Sequence, residues 1–125
     1  MDDNKTKGSL NWVFCDGDLP PKIEGCLDAH EALMVTNLNC EAADLSIDIM
    51  FEDAPPKTGI KARVEGQRVR CFRLDKPIGD CGGAFQIPFG QYSLVLHSSV
   101  PVFAVFGRLD VRKPAAYYSV QGHTY

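Results

Sequence analysis

Hydrophobic and polar residues alternate along much of this chain with a period of two, the spacing at which an extended backbone turns successive side chains to opposite faces. The clearest case is ADLSIDIMF, where Leu45, Ile47, Ile49 and Phe51 share one face and Asp44, Ser46 and Asp48 the other. That pattern is a half-solvated antiparallel strand. LNWVFC, EALMVTNL, IKARVEG, QRVRCFRL, QYSLVLHS, VPVFAVFGRLD and AAYYSVQG read as further short strands, and no segment sustains a helical period. Eight short strands at nearly regular spacing predict an all-β sandwich or small barrel.

Turn chemistry divides the strands. DGDLPP ends the first one with a turn cluster and paired prolines, and EDAPPKTG is a loop by composition. KPIGDCGGAFQIPFG, Lys76 to Gly90 with its glycine-rich part from Ile78 to Gly90, exceeds a hairpin turn and is a candidate functional loop. Residues 1–9 are polar without periodicity and are expected to form a flexible leader, leaving 10–125 as a single β-sandwich domain.

The segment Gln91 to Asp110 reads as two apolar strands meeting at a polar turn, the second carrying no charge until Arg108 and Asp110. Alternation places Val102, Ala104, Phe106, Arg108 and Asp110 on one face and Phe103, Val105, Leu109 and Val111 on the other. Because both faces begin apolar, sheet, partner subunit or both must cover them. Arg108 and Asp110 then stand about 7 Å apart on one face. A guanidinium fork and a carboxylate so placed suit the hydroxyls or carboxylate of a ligand, and equally suit an ion pair at a sheet end or subunit contact.

Charge narrows the partners. Thirteen basic and sixteen acidic residues give a formal charge of -3, which does not favour a polyanion. Neither a run of about 20 apolar residues nor a signal-peptide core occurs, so a cytoplasmic location without membrane insertion is expected. The five cysteines are odd in number and lack CxxC spacing, so they read as thiols, mostly buried, with Cys81 the accessible one.

The order of several segments resembles the sensory rhodopsin transducer family, small prokaryotic relatives of the cyanobacterial transducer. The similarity spans about Trp12 to Tyr118 and is carried by the Trp12 strand with DGDLPP, His30 and Glu31, TNLNCEAADLSIDIMF, VRCFRL and SSVPVFAVFGRLD. The resemblance implies an eight-stranded antiparallel β-sandwich of jelly-roll type, assembled as a homo-oligomer, a tetramer. It further implies a non-catalytic binding and signalling role, with a small polar ligand, sugar or sugar derivative, and a signalling protein partner.

Candidate ligand contacts are Trp12, Asp16, His30, Glu31, Arg108 and Asp110. A tryptophan face is a platform for a sugar ring, with Asp16 accepting from its hydroxyls, although a lone tryptophan also serves as a core anchor. His30 and Glu31 are strand neighbours, so one of them at most faces a given pocket. His30, His97 and His123 show no metal-ligand spacing, and neither a metal nor a cofactor is expected. Arg63, Arg68, Arg70 and Arg73 form a basic concentration that suits a phosphate stripe or a solvated or oligomer-bridging face.

GxSxG, HExxH, GxGxxG and P-loop patterns are absent. An enzyme of sugar metabolism would instead need Glu31, Asp110 or His30 as acid and base, with their carboxyls converging in a pocket. A DNA-associated regulator would need the arginine strand.

Overall fold

A computed structural model describes residues 7–20, 29–80, 82, 84–110 and 116–125; the side chains of 110 and 116–118 fall outside that description. The chain is an antiparallel β-sandwich of eight strands among the described residues: β1 (Ser9–Leu19), β2 (His30–Asn37), β3 (Ala43–Met50), β4 (Lys57–Val64), β5 (Arg68–Arg73), β6 (Gly90–Asp110), β7 (Ala116–Val120) and β8 (Gly122–Thr124). No described helix is long and apolar enough to cross a membrane.

One strand serves both layers. The first half of β6 pairs with β1 and β3, extending to a sheet of order β4-β3-β6-β1-β8, and its second half pairs with β2 and β7. With β5 beside β2, the second sheet runs β5-β2-β6-β7. The expected polar turn at His97–Pro101 is therefore extended backbone, and two predicted strands are one of 21 residues. Periodicity survives the passage: Tyr92, Leu94 and Leu96 face the core, and so do Val102, Phe106 and Arg108.

Between the layers lie Phe14, Leu33, Val35, Leu45, Ile47, Ile49, Leu94, Leu96 and Phe106, all essentially without solvent contact. Phe14 and Phe106 join the two sheets ring to ring, their centroids 5.6 Å apart. At roughly 25 cal/mol per Å² of apolar surface, such burial is the main stabilising term. The outer face of β6 is open within the chain, because Phe103 and Val105 are exposed. Cover from both sides, anticipated from the sequence, is thus not supplied by this chain alone.

Two further expectations change. DGDL does not end β1: the strand continues to Leu19, with a bulge between Phe14 and Gly17 that fits one extra residue against β6. The thiols are not mostly buried, since Cys15, Cys40 and Cys71 are free and exposed. Cys26 and Cys81 lie outside the described residues.

Candidate functional site

The bulge of β1, the start of β2 and both halves of β6 converge on a buried polar cluster. Glu31 and Arg108 are register partners across β2 and β6, with 0% and 5% of their surface exposed. Arg108 Nε donates to Glu31 Oε2 at 2.7 Å, and Tyr92 donates its hydroxyl to Glu31 Oε1 at 2.6 Å. The backbone N–H of Asp18 adds a third donor to Oε2 at 3.0 Å. A carboxylate removed from water requires such compensation, and this one receives it at both oxygens.

Gly17 makes the arrangement sterically feasible. It is the register partner of Tyr92, and a Cβ there would lie 2.6 Å from the tyrosine ring. Burial pushes the Tyr92 hydroxyl well above its ordinary range, and the negative charge of Glu31 pushes it the same way. Tyr92 is thus a fixed donor.

The cluster reaches the surface through Arg108. Its Nη2 donates to the Asp16 carbonyl at 2.6 Å and lies 3.7 Å from the Asp16 carboxylate, whose side chain is 67% exposed. Gln91 Nε2 donates to the same carboxylate at 3.4 Å. Gln91 in turn lines a two-lobed cleft between the Phe51–Ala54 loop and the Pro88–Gln91 segment. One lobe, of about 130 Å³, is lined by Met50, Phe51, Glu52, Gln91, Tyr92 and Ser93. The other, of about 350 Å³, shares Phe51, Glu52 and Gln91 and adds Asp53, Pro88 and Phe89. The larger lobe falls within the range of about 300–1,000 Å³ usual for small-molecule sites.

Four of the sequence-derived candidates, Asp16, Glu31, Arg108 and the half-buried His30, sit on the elements that meet here. The guanidinium of Arg108 turns inward to Glu31, and of these four it is Asp16 that presents an exposed carboxylate. Trp12 is elsewhere, stacked on Phe14 at 6.1 Å and donating Nε1–H to the Val102 carbonyl at 3.1 Å. That is an anchor's environment. The Asp110 side chain lies outside the described residues.

His97 does not approach Glu31. It occupies the outer face of the other sheet, where Nδ1 meets Asn11 Oδ1 at 2.8 Å and Nε2 meets Asp48 at 3.3 Å. Among the described residues no group of three or more His, Cys, Asp or Glu is arranged to hold a metal. The arginines are matched within the chain: Arg63 with Asp44 and Glu65, Arg70 with Asp80, and Arg73 with Asp75. Arg68 donates to the carbonyls of Gly66 and Gln67.

Comparison with known proteins follows the same architecture. The Anabaena sensory rhodopsin transducer family matches residues 7–124. The chain belongs to that family. A crystal structure of Thermotoga maritima 1070 superposes with a TM-score of 0.78 at 28% identity, over 94% of this chain and 96% of that one. The Anabaena sensory rhodopsin transducer itself superposes at 0.71 with 26% identity, over 86% and 94%. No curated protein sequence matches. The family thus spans both sheets and the polar cluster, which lies wholly within the matched residues.

Sequence reasoning missed Tyr92, Gln91 and the meeting of segments that makes the cleft. Tyr92 was within reach: its strand sends 92, 94 and 96 inward together, and a buried phenol needs an acceptor. The cleft brings the Phe51–Ala54 loop against the end of the Ile78–Gly90 connection, singled out by composition as a candidate functional loop, and the start of β6; that these segments meet is not written in any one of them.

Proposed function

We propose that this family member is a cytoplasmic, non-catalytic binding and signal-transducing domain. Its ligand is small and polar, a sugar or sugar derivative, and its occupancy is passed to a protein partner through a homo-oligomer, a tetramer. The observation that carries this reading is the continuous path from cleft to buried charge. Gln91 lines the cleft and holds Asp16; Asp16 holds Arg108; Arg108 joins β1 to β2 through Glu31. A ligand drawing Gln91 or Asp16 toward itself changes what Arg108 touches, and so biases the packing of one sheet against the other by its differential affinity.

The recipient surface in this reading is the outer face of the β5-β2-β6-β7 sheet. Its rows Val69–Thr36–Phe103 and Cys71–Met34–Val105 are largely apolar, and Val69, Phe103 and Val105 are exposed. Exposed contiguous apolar surface of this kind marks association. A signalling role accords with membership of a transducer family, and exposed free thiols accord with a reducing compartment.

Glu31 is an unsuitable acid or base here, because Arg108, Tyr92 and the Asp18 amide occupy its oxygens. The matched arginines likewise leave the DNA reading without support. Thermal-shift titration with neutral sugars, sugar acids and sugar phosphates tests the proposal. A true ligand at 100 times its Kd raises stability by about 2.7 kcal/mol, and Gln91→Ala with Asp16→Ala abolishes the shift. If no compound shifts the melting temperature, or the variant responds like the parent, the assignment fails.

A further inference from the structure

Charge in the cleft is one-sided. Glu52 and Asp53 are exposed on its wall, and Asp16 stands beside Gln91 at its edge. Among the described residues no lysine, arginine or histidine lines either lobe. Lys57, which follows the same loop, lays its ammonium 5.7 Å from the centre of Phe85, a ring that packs against Phe51. Arg108 is buried against Glu31.

Phe89 completes the picture. Phe89 is 65% exposed at the cleft wall, which leaves its apolar surface in contact with water. An aromatic face beside two carboxylates is the pairing that holds an organic ammonium: the quadrupole and the charges attract the cation, and the ring covers the ligand's apolar body. An anionic ligand would be repelled by these carboxylates.

We propose that the cleft selects an amine-bearing small molecule, an amino sugar over its neutral or acidic counterpart, through Glu52, Asp53 and the ring of Phe89. This rests on the cleft being the ligand site and adds the ligand's charge class to it. The exposed carboxylates and the ring together favour the cation by about tenfold in Kd, and the preference falls as salt rises.

Titration calorimetry of the full chain with glucosamine, glucose and glucuronate, at low salt and with the amine protonated, tests it directly. Glucosamine is expected to bind about ten times tighter than glucose, with glucuronate weakest. E52Q/D53N, whose exposed positions leave the fold intact by melting temperature, should remove the roughly tenfold margin of glucosamine over glucose. Equal binding of all three, abolished by Gln91→Ala, would overturn the charge preference and keep the cleft. Tighter binding of glucuronate would overturn it too, and binding of none would remove cleft and preference together.

Discussion

Glu31 and Arg108 face each other across β2 and β6 in register, and their side chains meet again inside the sandwich at 2.7 Å. Both are nearly without solvent contact, so their attraction is offset by the cost of taking two charges out of water. What the pair contributes is chiefly the penalty for breaking it. Arg108→Met should cost about 3–5 kcal/mol in urea unfolding, because it strands a buried carboxylate. The triple variant E31M/R108M/Y92F should recover most of that loss. A triple variant no more stable than R108M would show that the polar cluster stabilises the fold by its own interactions.

Tyr92 and Gly17 form a second, steric relationship. Gly17→Ala drives a methyl group to 2.6 Å from the Tyr92 ring, and overpacking of this kind costs about 1–3 kcal/mol. Tyr92→Phe keeps the ring and removes the hydroxyl bonded to a charged acceptor, for about 1.5–3 kcal/mol. In a Y92A background the Gly17→Ala penalty should vanish. Equal penalties in both backgrounds, measured by chemical unfolding, would place the strain somewhere other than the ring.

These residues show how far alternation carries. In β2 the buried series Glu31, Leu33, Val35 was legible from EALMV, and in β6 the even positions from Tyr92 to Phe106 keep one parity straight through HSSVP. That unbroken parity was the sign of a single strand, obscured by the two serines and the proline at its centre. Read as two strands, the segment puts Arg108 and Asp110 on one face, suited to a ligand or to an ion pair at a sheet end or subunit contact, and names no inward partner for Arg108. Which charges meet inside depends on register between segments 77 residues apart, as Glu31 and Arg108 are; no local pattern encodes that. The family resemblance was carried by motifs on the strands themselves, and the match over 7–124 agrees with it.

Asp80 latches the glycine-rich connection onto the edge of the sandwich. Its carboxylate accepts from both Nη atoms of Arg70 and from the Arg63 amide, while its own amide donates to the Lys61 carbonyl at 2.8 Å. Hydrogen bonding by Arg70 holds the Asp80 carboxyl below its ordinary 3.8. A carboxyl depressed by folding stabilises above its unfolded value, and that contribution fades as pH falls through the lower folded value. Below about pH 4, the parent should therefore lose melting temperature more steeply than Asp80→Asn. Parallel acid limbs for the two proteins would show that the latch carries no pH-dependent stability.

The apolar rows outside β5, β2 and β6 bear on assembly. Phe103 and Val105 are each 46% exposed on a sheet whose opposite face is core. A monomer would keep this surface wet, while a face-to-face pairing of two copies would remove it from water at roughly 25 cal/mol per Å². F103K/V105K places two ammonium groups where that contact would form, without touching a residue that faces the interior. Sedimentation velocity should show the parent as an oligomer and the variant as a smaller species with an unchanged circular dichroism spectrum. If the variant sediments with the parent, the copies meet through another surface and the sheet face is left for a different protein.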